Sequence, residues 1–138
     1  MWTCPGCQRK FKKTNQVHSC NEKTLDDYLK PASPHSLDLF NHLIAEFRRI
    51  GKIDIHPTRS MIAISSRVRM AYIIYFGKNF IDVVFPFGQA FEDNLCFTKI
   101  KQVPGTMDLN HHFRMYLRED VNAEVKKFMR MAYDKAAG

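Results

Sequence analysis

The sequence predicts an α+β fold in which an antiparallel sheet of about five or six strands carries two helices on one face. Three observations support this prediction. Apolar residues recur at the helical period near both ends of the main domain, they alternate with polar residues in between, and Gly or Pro separates the alternating runs. With 138 residues, 45% of them hydrophobic, the chain can bury one core and carry a small N-terminal module.

The N-terminal segment has the ligand pattern of a small metal site. A Cys-x2-Cys pair is followed by ten residues and then His-x-Cys, and Zn²⁺ prefers four tetrahedral sulfur and nitrogen ligands. The step from the histidine to the last cysteine fits a turn rather than the helix of a DNA-reading finger. We therefore predict a zinc knuckle over residues 1–22, in which structural Zn²⁺ is bound by Cys4, Cys7, His18 and Cys20. The alternatives are a ligand set in which Cys96 replaces His18 or Cys20, and reduced thiols that bind no metal.

A short helix and a linker are predicted over residues 23–34. Thr24 suits the N-cap position, and Asp26 and Asp27 follow it near the positive end of the helix dipole. Pro31 and Pro34 enclose a segment without periodicity, which is typical of a linker. The main domain is accordingly assigned to residues 35–138.

Two longer helices are predicted at the two ends of that domain. From Ser36 onward apolar side chains recur at spacings of three and four, and Gly51 is placed to end the helix. The second helix is predicted over residues 120–136, where Val125 and Phe128 belong to the same period and Asp120 lies at the N-terminal end.

Six runs between these helices are rich in Ile, Val, Phe, Tyr and Thr, a composition that favours strands. They cover residues 52–56, 60–66, 68–76, 80–87, 95–103 and 110–117. The short connections between them predict an antiparallel meander.

If the helices cover one side of the sheet, alternate residues of each strand must face the other side. The candidates for that second face share a parity within one strand: Arg67 with Arg69, Lys99 with Lys101, and His112 with Arg114 and Tyr116. Such a face is basic and partly aromatic, so its cations can bind phosphates while a tyrosine ring offers a stacking plane. A solvated polar face without a ligand is the alternative, because antiparallel sheets commonly have one.

The charge of the chain also favours an anionic partner. The formal net charge is +7 and the isoelectric point is about 9.4. Four cations, Arg9, Lys10, Lys12 and Lys13, lie between the second and third predicted metal ligands, where they would either contact phosphates or be solvated. No apolar run approaches the roughly 18 residues of a membrane span. We therefore predict no membrane partner, and a cytoplasmic protein whose thiols stay reduced.

The motifs of common enzyme classes are missing from the sequence. It contains no nucleophile elbow, glycine-rich phosphate loop or HExxH helix, which favours a non-enzymatic protein. His111 and His112 are adjacent strand residues that point to opposite faces, so we expect one buried, hydrogen-bonded ring and one exposed ring. Asp82 is predicted to be either the partner of an arginine or a polar residue at a sheet edge.

Several short motifs occur in an order that resembles one bacterial family. They are WTCPxC at residues 2–7, NQxHSC at 15–20, PTR at 57–59, RxRM at 67–70, FTKI at 97–100 and HHFR at 111–114. The chain is similar to the family known as domain of unknown function 5655, in the version with a zinc-binding N-terminus. The resemblance implies an α+β domain and a shared anion pocket at Arg59, Arg67, Arg69 and the 111–114 strand. It also implies a distant relation to frataxin-like domains. Iron bound by such a domain would need carboxylate ligands, and acidic pairs occur in this sequence only at 26–27, 92–93 and 119–120.

Taken together, these features predict a bacterial zinc-binding protein that acts as a binding module for nucleic acid or another polyanion. The predicted anion contacts are Arg9, Lys10, Lys12, Lys13, Arg59, Arg67, Arg69, Lys99, Lys101, His112, Arg114 and Tyr116. One alternative is a pocket for a small anion or metabolite, perhaps enzymatic, lined by Arg59, Arg69, His112 and Tyr116. Another is frataxin-like metal handling.

Overall fold

The computed structural model describes residues 2–3, 10–11 and 24–137, with the backbone alone at 10–11. Its helices are α1 (Leu25–Leu29), α2 (Pro34–Ile50) and α3 (Ala123–Ala137), with a 3₁₀ turn at Arg118–Asp120. Its strands are β1 (Trp2–Thr3), β2 (Lys10–Phe11), β3 (Asp54–Pro57), β4 (Ile62–Ser65), β5 (Arg69–Phe76), β6 (Ile81–Phe87), β7 (Lys99–Gln102) and β8 (Leu109–Met115). The predicted α+β class and all six strands of the main sheet are confirmed.

The main sheet is antiparallel and its six strands lie in the order β3-β4-β5-β6-β8-β7. The predicted meander is therefore wrong at one position, because β8 lies between β6 and β7. The predicted fifth strand also begins late, since residues 95–98 form turns and bends. The long connection over residues 88–98 carries the chain past the site of β8 to the edge of the sheet, and the β7–β8 hairpin then fills the gap.

The helices α2 and α3 cover one face of this sheet, as predicted. Leu43 and Phe47 of α2 and Phe128 and Met129 of α3 are buried against inward-facing residues of β4, β5, β6 and β8. In the two central strands β6 and β8 the alternation is regular, so every second residue enters this core. The other face of the sheet carries no helix among residues 24–137, and we call it the open face.

The first two helices begin at side-chain caps. Thr24 accepts a hydrogen bond from the Asp27 amide, and the Asp27 carboxylate accepts one from the Thr24 amide, which together form a capping box. Ser33 caps α2, and Pro34 occupies its first turn. The predicted cap and start of α1 are confirmed. The segment 23–34 is more than a linker, because Leu25 and Leu29 of α1 pack against the core of the main domain.

The bounds of the long helices differ in detail from the prediction. Helix α3 starts at Ala123 rather than residue 120, because the Asp120 carboxylate accepts from the amides of Tyr116 and Leu117 in a preceding turn. Helix α2 ends at Ile50 as expected, and Gly51 follows it in an extended conformation. A side chain at Gly51 would collide with the Tyr133 ring, so close packing explains this glycine.

Two irregularities in β5 decide which of its residues reach the open face. Ile64 pairs with Ala71 and Ser65 with Arg69, so Met70 is an extra residue in β5. Ile73 pairs with Val83 and Tyr75 with Asp82, so Ile74 is a second extra residue. Each insertion shifts the parity of the residues beyond it, because the side-chain period of a strand is two.

The N-terminal strands form their own two-stranded pair. Strand β1 is antiparallel to β2, and Trp2 lies opposite Phe11. The four predicted zinc ligands and the cations Arg9, Lys12 and Lys13 lie outside the described residues, as does the side chain of Lys10. The zinc knuckle therefore stays a prediction from the ligand spacing.

Candidate functional site

The β7 edge of the open face carries a row of cations. Lys99 of β7 lies directly opposite His112 of β8, and Lys101 lies opposite Asn110. Directly opposed residues of an antiparallel pair have Cβ atoms about 5 Å apart and project to the same face. The predicted shared parity of Lys99, Lys101 and His112 is confirmed. We call Lys99 and Lys101, together with the neighbouring His112 ring, the cation row, in which the two lysines carry the positive charge.

A groove of about 570 Å³ lies next to the cation row on the same face. Its apolar wall includes Ile74, Val84 and Pro86, and the loop between β7 and β8 closes one side with Val103 and Thr106. Its polar lining consists of Arg69, Tyr72, Asp108, Asn110 and His112. The groove therefore combines an apolar floor with a cation and hydrogen-bonding groups, the usual composition of a small-ligand site.

His112 reports the electrostatic field at the groove. Partial burial lowers the pKa of its ring below the usual value, and the positive charge of Lys99 lowers it further. Lys101 acts in the same direction, whereas the charge of Asp82 raises the pKa. The ring is therefore neutral at pH 7, and an anion bound beside it would raise its pKa.

Arg114 lies two residues beyond His112 on the open face, and it is held by three groups. Its Nε donates to Asp82 Oδ1 at 2.8 Å and its Nη2 to Asp82 Oδ2 at 3.1 Å. Its guanidinium lies 4.2 Å from the centroid of the Phe80 ring. The bond to Asp82, and then a bond to Tyr116, raise the pKa of Arg114. Of the two roles predicted for Asp82, the partner of an arginine is confirmed, and Arg114 is already engaged by a carboxylate.

An aromatic cluster adjoins Arg114. The Phe80 ring centroid lies 5.8 Å from that of Tyr75 and 5.7 Å from that of Tyr116. Tyr75 is 57% exposed and Tyr116 is 48% exposed. Strand β8 ends before Tyr116, so this residue reaches the cluster from the segment that follows the strand. We call Tyr75, Phe80 and Tyr116 the aromatic platform.

His111 is the buried, hydrogen-bonded ring that was expected in the histidine pair, whereas His112 is half-buried rather than exposed. The Phe91 amide donates to its Nε2 at 3.1 Å, so Nδ1 carries the proton and donates to the Leu109 carbonyl at 2.9 Å. Both ring nitrogens are therefore satisfied, and the ring packs edge-on against Phe87 and Phe97. His111 supports the groove from behind and does not line it.

The remaining predicted anion contacts are spread more widely. Arg69 lines the groove, Arg67 lies in the exposed turn between β4 and β5, and Arg59 lies in the exposed turn between β3 and β4. Of the four residues proposed for a small-anion pocket, the structure brings Arg69 and His112 together. Tyr116 instead lines a second concavity of about 320 Å³ beside Arg114.

Cys96, the alternative zinc ligand, is in a setting that opposes ionisation. Burial raises the pKa of its thiol to about 12, and the neighbouring Glu124 carboxylate adds to the rise. Its backbone amide donates to Glu124 Oε1 at 3.2 Å. A thiolate ligand is therefore disfavoured at this position.

The described part of the chain has neither a metal-ligand cluster nor a membrane-spanning helix. No group of three or more His, Cys, Asp or Glu residues there is arranged to hold a metal ion. Within the same residues, no helix has both the length and the apolar composition needed to cross a bilayer.

Sequence reasoning missed Tyr72, Tyr75 and Phe80. Alternation counted from Arg69 assigns Tyr72 to the opposite face, and alternation counted from Tyr72 assigns Tyr75 to the core. The insertions at Met70 and Ile74 reverse both assignments. No residue type in β5 marks these insertions, so the signal was not available from the pattern.

Comparisons of the chain with protein-family models, with curated proteins and with solved structures return no match. The resemblance to domain of unknown function 5655 therefore stays a prediction from the motifs.

Proposed function

We propose that this protein is a non-enzymatic binding module for nucleic acid or another polyanion, and that the open face of its sheet is the binding surface. One observation carries the proposal. Lys99 and Lys101 project side by side from the edge strand next to His112, and no carboxylate of the described residues forms an ion pair with either lysine.

Several of the other cations in residues 24–137 are paired with carboxylates. Arg118 pairs with Asp38, Arg130 with Asp134 at 3.2 Å, and Lys126 with Glu46 at 3.5 Å. Grouped lysines without acidic partners leave an uncompensated positive potential, which attracts anions and their counterions. Burial is the main cause of the lowered pKa at His112, and the positive charges of Lys99 and Lys101 lower this pKa further, as such a potential would.

The proposed partner must bind in a salt-dependent manner, because neutralising phosphates releases condensed counterions. Fluorescence anisotropy with a labelled 15-nucleotide single strand should give an affinity that falls steeply with salt between about 50 and 200 mM. The double substitution Lys99→Gln with Lys101→Gln should make the slope of log affinity against log salt concentration shallower by about 1.4, or about 0.7 per phosphate contact.

The matched control is Lys126→Gln with Lys127→Gln, which removes the same charge from α3 on the helix-covered side. Binding by this control should stay within about twofold of the parent, a difference equal to about 0.4 kcal/mol. No binding at 50 mM salt, an affinity indifferent to salt, or equal losses in both double variants would refute the proposed function.

A second candidate function is capture of a small organic anion, and the groove is the observation that favours it. Arg69 and His112 line a concavity with an apolar wall, which suits a compact ligand with one negatively charged group. If this function is correct, a mononucleotide should bind as tightly as the 15-nucleotide strand, and Arg69→Gln should weaken both equally.

The zinc knuckle is part of the same proposal. Its support is the spacing of Cys4, Cys7, His18 and Cys20. Bound Zn²⁺ would order the four cations of residues 9–13 as a second contact for phosphates. Reduced thiols of this kind suit the cytoplasm, where we place the protein.

A further inference from the structure

We propose that the aromatic platform is a base-stacking site, so that the preferred polyanion is a single-stranded nucleic acid with unpaired bases. This inference rests on the proposed function and narrows it to one class of ligand. The carrying observation is that two tyrosine rings lie exposed around a fixed phenylalanine, on the same open face as the cation row.

Tyr75 is exposed because of the backbone geometry of β5, and its ring is not part of the hydrophobic core. The insertion at Ile74 turns Tyr75 to the open face opposite Asp82, and it turns Phe76 inward, where the Phe76 ring packs 5.8 Å from Phe40. None of the three platform rings belongs to the hydrophobic core of the described residues. An exposed aromatic cluster that the core does not require is typical of a ligand contact.

The centre of the platform is held rigidly. Gly77 lets the Phe80 ring lie against the backbone, since a Cβ atom at Gly77 would come within 2.6 Å of that ring. The turn between β5 and β6 is fixed to α2, because Ser36 donates to the Gly77 carbonyl and Ser33 to the Lys78 carbonyl at 2.7 Å. A preordered platform loses little conformational entropy on binding.

The distance between the aromatic platform and the cation row suits a nucleotide chain. Asp82 pairs with Arg114, and Val84 pairs with His112, so the row of Arg114 is two residues, about 7 Å, from the row of His112 and Lys99. A strand lying across the face can therefore place bases on the platform and phosphates on the cation row. A duplex hides its base faces in the stack and gains nothing from the platform.

The test compares ligands with and without bases. One probe is the labelled 15-nucleotide thymidine strand, and the other is an abasic strand of equal length that keeps the phosphates and lacks the bases. The variants are Tyr75→Ala with Tyr116→Ala, and as the matched control Tyr75→Phe with Tyr116→Phe, which keeps both rings. Circular dichroism checks that each variant is folded.

We expect the alanine variant to bind the thymidine strand about tenfold to a hundredfold more weakly, with the affinity for the abasic strand unchanged. The phenylalanine variant should bind both strands as the parent does. The inference is overturned if the alanine variant binds the thymidine strand like the parent, or if it loses affinity for both strands equally.

The two proposals fail in different ways. If the substitutions at Lys99 and Lys101 weaken binding of both strands while the alanine variant changes neither, the polyanion module stands and the stacking site is refuted. If the lysine substitutions leave both affinities unchanged, the proposed function itself is refuted.

Discussion

Asp82 neutralises the charge of Arg114 on the open face, so substitution of Asp82 by asparagine should increase the affinity for a polyanion. The change keeps the shape of the side chain and removes its charge. Asp82 is 17% exposed and Arg114 is 40% exposed, and two hydrogen bonds of 2.8 and 3.1 Å join them. In Asp82→Asn the guanidinium keeps its place over Phe80 and is free to contact a phosphate.

The size of the effect follows from the exposure of the pair. Exposed ion pairs are weak, so the interaction released to a phosphate is small and the affinity should rise by no more than about fivefold. One added contact steepens the salt dependence by about 0.7 for a single strand, which is about 2.5-fold between 50 and 200 mM salt. The loss of fold stability should be small, because an exposed ion pair contributes little.

Anisotropy titrations at the two salt concentrations measure both effects. Asp134→Asn is the control, because it also removes one acidic charge from an arginine pair, and that pair lies on α3 away from the open face. NMR titration of His112 gives an independent readout, since the Asp82 charge raises that pKa and its removal should lower it. An affinity gain of the same size in both variants, or none in Asp82→Asn, would refute the assignment of the binding surface.

Three further outcomes are expected. Burial and the charge of Lys99 lower the pKa of His112 in the folded protein, so the unfolded chain takes up the proton more readily and stability declines as the pH falls through about 6.5. His112→Gln should therefore reduce the loss of melting temperature between pH 7 and pH 5. Parallel curves of melting temperature against pH for the parent and the variant would contradict this. His111→Leu removes a hydrogen-bond partner from the part-buried Phe91 amide and from the part-buried Leu109 carbonyl. At about 1–3 kcal/mol for each unsatisfied group, urea unfolding should show a loss of about 2–6 kcal/mol, and a loss below about 0.5 kcal/mol would show that these bonds are dispensable. Elemental analysis should find one zinc per chain in the parent and none in Cys4→Ser, and equal zinc contents would remove Cys4 from the ligand set.

Much of the fold was predictable because it depends on short-range patterns. The Thr24 cap of α1 needs only neighbouring residues to act. The start of α2 was predicted at Ser36, with Pro34 in the linker, and this was wrong because Ser33 caps the helix and Pro34 occupies its first turn. The assignment of His111 to the core and His112 to the open face followed from simple alternation, since β8 is regular over its whole length. The placement of β8 inside the sheet was not predictable in this way, because strand order depends on where a long connection crosses.

The residues of the candidate site likewise include some that were predictable from the sequence and some that were not. The side chains of Lys99, Lys101 and His112 were assigned to one face from the sequence, because two regular strands carry them. Tyr72 and Tyr75 reached that face through inserted residues, and Arg114 was occupied by Asp82 across the β6–β8 pair.

Periodicity and capping in the chain alone thus specify which segments are helices and strands, where the helix caps lie, and the basic character of the open face, since each of these depends on residues a few positions apart. The pairing of β5 with its two neighbours decides which aromatic rings are exposed, and the pairing of β6 with β8 places Asp82 beside Arg114. An inserted residue is accommodated only when the hydrogen bonds of both adjacent strands are formed, so its position is a property of the assembled sheet.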